Sequence, residues 1–334
     1  MNGFVNLNKP MGMTSHSCVA KLRRLLKTKQ VGHAGTLDPM ATGVLPIAVN
    51  RATKFIQYLE KTKAYNGTIR FGVTTDTDDI TGFDLLGEIA LIICSNILKQ
   101  NPAPHITEGI VQESLPKLTE MNSFVGKITQ RPPVVSAIRV DGERLYNLAR
   151  DGKATLKDVP LRQVTVHSID VRSFEQKDYP EVIALISVVC SEGTYIRSIA
   201  RECGESLQNE NGTGAIGATL STLHRTRSNG LFSDTSLTFE MIEQQIEEGT
   251  FELTPIEALL THLPSISMTP KSELMWHNGQ KLTWPVADVS GTFAPNCPLS
   301  VAVYCDGTLK GITTLTPQDS NNYSIAGARV LLNP

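Results

Sequence analysis

One carboxylate stands inside a run of glycines and threonines: Gly32-His33-Ala34-Gly35-Thr36-Leu37-Asp38-Pro39-Met40-Ala41-Thr42-Gly43. Asp followed by Pro is a common helix opening, with the carboxylate as cap and proline in the first turn. That reading fits poorly, because Gly43 follows soon after and residues 44–49 (VLPIAV) suit a buried strand. Glycines let a backbone take positive φ or approach a ligand closely. The segment is also cationic: residues 1–75 carry eleven Lys and Arg against only Asp38 and Glu60. Such a surface suits a polyanion, which would repel a carboxylate lacking a structural or chemical task. Two readings of Asp38 stay open here, a helix cap or a nucleophile or base.

Other chemistries find less support. Six cysteines form no CxxC pair, and seven histidines complete no Cys/His metal pattern. Small buried thiols are expected, without disulfides or zinc. Gly212-Thr213-Gly214-Ala215-Ile216-Gly217 matches GxGxxG, but no strand precedes it, so a turn from one helix into another is the plainer expectation. No glycine is followed by Lys-Ser or Lys-Thr, which excludes a Walker A loop.

The elements that would position Asp38 follow from the periodicity. Residues 4–8 read as a strand. A helix capped by Thr14 or Ser15 runs to about residue 27, with Val19, Leu22, Leu25 and Leu26 on its apolar stripe. A short helical pattern covers 52–61. Strands are expected at 65–73, 161–171 and 181–190, and helices at 114–124, 143–151, 194–207 and 235–248. Beyond residue 264 the pattern becomes short strands with Gly and Pro turns. With 334 residues, 40 % apolar and 19 % charged, the chain suits about two domains and is not disordered. The net charge of -2 hides an acidic end, since residues 231–334 hold four basic and eleven acidic side chains. The densest apolar stretch, residues 89–98, is half of the roughly 20 residues a membrane span needs. With no basic-then-apolar leader, a cytoplasmic location is expected.

The segment GHAGTLDPMATGVLPIAVNRATKF closely resembles the signature of the bacterial tRNA pseudouridine synthase B (TruB) family. NKPMGMTSH, KAYNGTIRFGVTTDTDD, PPVVSAIRVDGERLYNLARDG, CSEGTYIRSIARECGESL and GATLSTLHRTRSNGLF resemble further family motifs in the same order. The resemblance spans roughly residues 3–260.

It implies an α+β fold: a mixed, mainly antiparallel sheet flanked by helices. A catalytic domain would cover 1–260, with an enlarged insertion at 83–113, and a small β-rich, PUA-like domain would cover 261–334. The implied reaction turns the uridine at position 55, in the tRNA T loop, into pseudouridine. No metal, nucleotide or redox cofactor is implied, and the protein is expected to be a monomer that binds the T arm. By resemblance Asp38 is the catalytic carboxylate and Tyr65 stacks on the extruded base. His33 contacts the substrate near the vacated position. Tyr195 lies in the pocket, Arg197 pairs with Asp38, and Leu223 lines the uracil site. His224 departs from the family, standing where arginine is common. RNA is expected to grip residues 9–63 and the Arg-rich stretches 139–150 and 225–227, rather than the acidic C-terminal domain. Alternatives are a guide-RNA-dependent synthase and a non-catalytic tRNA-binding or remodelling protein.

Overall fold

The computed structural model describes residues 1–82, 124–140, 142–176, 182–207, 215, 217–294, 297–326 and 330–332. The insertion at 83–113 and nearly all of the helix expected over 114–124 lie outside them.

Seven strands lie side by side in the order β1 (Gly3–Lys9), β3 (Thr42–Val49), β10 (Ala218–Ser228), β4 (Thr62–Phe71), β9 (Val182–Ser191), β8 (Arg162–Gln176) and β5 (Gly126–Gln130). Short β2 (Val31–His33) adds to β3, and β11 (Leu231–Phe232) to β10. All neighbours are antiparallel except β10 and β3, which run parallel where His224 faces Thr42 and Arg225 faces Gly43. The sheet is therefore mixed and mainly antiparallel, as expected. Alternation on β4 buries Lys63, Tyr65, Gly67, Ile69 and Phe71 in turn. Two of these five can do chemistry.

Helix α1 (Ser15–Leu25) is capped by Thr14, whose hydroxyl accepts from Ser17 N. It buries Ser15, Cys18, Val19 and Leu22 against the β1–β3 side of the sheet. The helix expected at 143–151 is present as α2 (Leu145–Arg150), entered from a hairpin of β6 (Arg139–Val140) and β7 (Glu143–Arg144). Helix α3 (Ile196–Ser206) buries most of its surface, including Arg197 and Arg201. Gly204 lets it press on β10, because a Cβ there would strike the backbone of Gly217 and Ala218. Helix α4 (Phe239–Glu248) starts later than its pattern suggests. Leu237 is held extended by bonds to Asn6 and Asn8, leaving Thr238 as the cap. The chain after Gly217 forms β10, not a second helix, which corrects the reading of the GxGxxG segment.

A second sheet takes the order β12 (Ser265–Met268), β14 (Leu299–Cys305), β15 (Thr308–Pro317), β16 (Asn322–Ala326), β13 (Lys281–Pro285), with β17 (Val330–Leu331) on β15. Among the described residues one α-helix interrupts this strand-rich stretch, α5 (Pro270–His277), capped by Thr269 with Pro270 in its first turn. Ile266, Trp276, Val303 and Ile325 share one core. The opposite face belongs to a core held in common, where Ala302, Leu309 and Ile312 pack with Phe4, Val44, Phe55 and Leu259. Cys18, Cys190, Cys203 and Cys305 are buried free thiols, whereas Cys297 is exposed, unlike the small buried thiols expected.

Gly43 marks where the Asp38 segment enters β3. Its φ is +99°, and a Cβ would drive into the backbone of Arg225 on the neighbouring strand. Gly43→Ala is expected to lower the unfolding free energy by at least about 2 kcal/mol, measured by urea denaturation. Wild-type stability in that variant would disprove the close approach.

Candidate active site

Residues 34–41 form neither helix nor strand, so their carbonyls need partners from elsewhere. Buried cations supply many of them. Arg225, fully buried on β10, donates from Nε to Val44 O at 2.7 Å and from its two terminal nitrogens to Thr36 O and Gly35 O at 3.2 Å. Lys9, also fully buried, donates to Pro39 O at 3.2 Å and to Pro10 O and Met13 O. Burial lowers its pKa to about 8. Ser15 closes the frame, accepting from Leu37 N and donating to Leu37 O. The helix-cap reading of Asp38 ends here: only a turn follows, closed by Ala41 N to Asp38 O at 3.1 Å.

The carboxylate meets Arg197 in the first turn of α3. Arg197 Nη2 donates to Asp38 Oδ1 at 3.0 Å, and Nε lies 2.9 Å from Oδ2. Asp38 is 29 % exposed at its side chain and Arg197 only 4 %, so the pair is a buried base with one open side. The rest of the guanidinium is fixed from behind. Nη1 donates to Thr77 O at 2.9 Å and lies 3.4 Å from Asp79 Oδ2, while Nη2 also reaches Val135 O at 3.1 Å. Asp79 is itself held, accepting from Thr77 Oγ1, Thr81 N and Thr81 Oγ1. One helical turn later Arg201 pairs with Asp78 and donates to Arg131 O. Consecutive aspartates reach two arginines because Asp78 takes a left-handed φ of +60°, which Asp tolerates. Burial pushes the Asp78 carboxyl up to about 6 despite Arg201. The acidic turn at 74–82 and Arg201 are thus part of the site's support, which the sequence reading left unassigned. Their signal was the Arg-x-x-x-Arg spacing on one helix face.

A cavity of about 520 Å³ opens over the pair. Asp38, Tyr65, Tyr195, Arg197 and Leu223 all line it, together with Lys63. Tyr65 on β4 and Leu223 on β10 are floor residues, 7 % and 6 % exposed. Burial raises the phenol pKa of Tyr65, so it is a neutral ring at ordinary pH. Tyr195 is the residue before α3. Its backbone is clamped by buried Gln130, which accepts from Tyr195 N at 2.8 Å and donates to Tyr195 O at 3.1 Å. Burial, then the Asp38 charge, raises its phenol pKa too. Tyr195 and Arg197 therefore converge on one cavity although they straddle a helix start. His33 does not line this cavity. It pairs with Ile47 at the end of β2, half-buried, and burial and then Arg225 lower its pKa. His224 bonds Thr42 Oγ1 at 2.8 Å through Nδ1, tying β10 to β3.

The expected RNA grip is corrected in part. Arg225 is internal, Lys9 is internal, and Arg227 is held by both Glu60 oxygens at 2.7 and 2.8 Å. Arg139, Arg144 and Arg150 do gather around one surface hollow on the β6–β7 hairpin and α2.

Residues 23–196 match the model of the TruB family pseudouridylate synthase N-terminal domain. The tRNA pseudouridine synthase B of Trichormus variabilis is 45 % identical over 282 residues, 84 % of this chain and 86 % of its own. That of Synechocystis is 38 % identical over 338 residues, covering both chains completely. Among solved structures, a chain of a Cbf5-Nop10-Gar1 complex superposes with a TM-score of 0.67 at 24 % identity, covering 98 % of this chain and 84 % of that one, which shows a shared fold. With the fold, the matched segment and the full-length relatives in agreement, the chain belongs to the TruB family of pseudouridylate synthases.

Proposed function

We propose that this chain converts the uridine at position 55, in the T loop of tRNA, to pseudouridine, with Asp38 as the catalytic carboxylate. The observation that carries this reading is the Asp38–Arg197 pair at the open side of a cavity floored by Tyr65 and Leu223. The name of the relatives, tRNA pseudouridine synthase B, supplies the substrate class. The reaction breaks the N-glycosidic bond, turns the uracil and rejoins it to C1′ through C5. Extruding the base costs a few kcal/mol. The Tyr65 ring recovers about 1–3 kcal/mol by stacking, and Leu223 gives the ring an apolar wall. Arg197 acts on Asp38 through a charge-assisted hydrogen bond from Nη2 and the close approach of Nε, which together fix its orientation. His33 sits one strand away from the floor and is assigned to the substrate backbone at the rim. The Arg139, Arg144 and Arg150 hollow is assigned to the phosphates of the T arm.

Asp38→Asn is isosteric and keeps the acceptor for Arg197. It is expected to slow pseudouridine formation by at least about 10⁴-fold, while T-arm RNA binds within threefold of wild type. The assay is tritium release from C5 of labelled uridine in an unmodified tRNA transcript, with no guide RNA added. Retained turnover would remove Asp38 from the mechanism, and a requirement for guide RNA would replace the stand-alone reading.

Asp79→Asn removes one carboxylate from Arg197 without touching the cavity. A drop of about ten- to a hundredfold in the single-turnover rate is expected, with RNA affinity kept. Arg197→Lys cannot fork across both Asp38 oxygens and is expected to lose more. An Asp79→Asn enzyme as fast as wild type would show that the rear ion pair does not position the catalytic pair.

A further inference from the structure

Lys63 stands out among the cavity-lining residues because, among the described residues, no acceptor is bonded to its ammonium. It is 8 % exposed, yet among the described residues its Nζ takes part in no hydrogen bond or ion pair. Its neighbours sharpen the anomaly. Arg225 lies close enough to lower its pKa further after burial, to about 8. The carboxylate of Glu192 attracts it but is held by Lys61 at 2.7 Å. A buried ammonium without a counter-charge destabilises a fold, and replacing it by an apolar chain is often neutral or stabilising. Its position is also specific. Lys63 and Tyr65 are two residues apart on β4 and so share the cavity face. A Cβ added to Gly35 would strike Nζ, so the ammonium lies against the backbone that leads to Asp38.

We propose that Lys63 is a further catalytic residue: its ammonium donates a hydrogen bond to a carbonyl oxygen of the extruded uracil and stabilises the charge that the ring carries while detached from ribose. This rests on the function proposed above. When the C1′–N1 bond breaks, its electron pair stays with the ring and spreads over N1, C5 and the two carbonyl oxygens. Carbon C5 then bonds to C1′, the C5 proton leaves, and N1 gains a proton. Lys63 keeps its own protons throughout. A nucleotide enters base first and its phosphates stay at the mouth, so a floor cation meets the base edge. Removing one such preorganised donor typically costs 10²–10³ in rate.

The test uses full-length wild type and Lys63→Met on T-arm RNA, reading single-turnover rate, Kd and Tm. The expected result is a rate at least about a hundredfold lower, Kd within threefold, and Tm unchanged or raised. A second measurement needs no variant: RNA carrying 2-thiouridine or 4-thiouridine at the target weakens one carbonyl acceptor at a time. Wild type is expected to slow by about tenfold or more with one of the two. A wild-type rate in Lys63→Met overturns the proposal. So does a loss of rate with a fallen Tm, which marks a structural lysine. Weaker binding with a log–log salt slope smaller by about 0.7 and intact chemistry marks a phosphate contact instead, and equal wild-type rates on all three RNAs overturn it as well. Wild type that binds the RNA but makes no pseudouridine sinks the proposed function itself, and this inference with it.

Discussion

A buried guanidinium must find acceptors for its N–H groups, and Arg197 finds them in three separated segments of chain. Asp38 accepts from Nη2 and faces Nε at 2.9 Å. Thr77 O accepts from Nη1, which also faces Asp79 at 3.4 Å, and Val135 O accepts from Nη2 as well. An uncompensated charge at 4 % exposure would cost several kcal/mol, so each acceptor is a condition of the fold. The Asp38 loop, the acidic turn after β4, the chain at Val135 and the start of α3 consequently have one relative arrangement that satisfies Arg197. The geometry of the candidate site is in this sense a by-product of hiding one cation.

The loop that carries Asp38 has the inverse problem. It has abundant carbonyl oxygens and no sheet or helix to receive them. Arg225 and Lys9 answer that need, each fully buried and each bonded to three backbone carbonyls. A helix would have satisfied the same backbone internally, but it would have aimed the carboxylate along a helix face instead of into a cleft. Irregular backbone held by cations presents Asp38 to the cavity while its main chain stays fixed. Gly43 belongs to the same device, since only a residue without Cβ brings the loop's exit onto the Arg225 backbone.

Much of this was legible in the chain. The apolar stripe Val19–Leu22, the alternation on β4, and the strand at 44–49 each reflect a local period that tertiary packing then obeyed. The isolated carboxylate among glycines was visible as an anomaly before any fold was known. What escaped were features fixed by distant partners. β10 carries Thr, His and Arg at alternate positions with only Leu220 and Leu223 as large apolar residues, so its period is weak, yet it sits inside the sheet between β3 and β4. Asp78 and Asp79 give no local signal of their role because their arginines are about 120 residues away. His33 stands five residues from Asp38 and still falls outside the cavity lining, because β2 peels off to pair with β3 before the loop begins.

Charge was the least transparent quantity. The excess of eleven basic residues over two acids in the first 75 suggests a positive outer surface. Yet Lys9 and Lys63 lie inside, and Lys21 is paired with Glu243 at 2.9 Å across the α1–α4 contact. Sequence charge counts groups and ignores depth, whereas a nucleic acid senses only those within a Debye length of its phosphates. Internal cations hold the backbone of the Asp38 loop in place. The positive excess is therefore divided: part of it faces solvent, and part is buried where it fixes the main chain around one carboxylate.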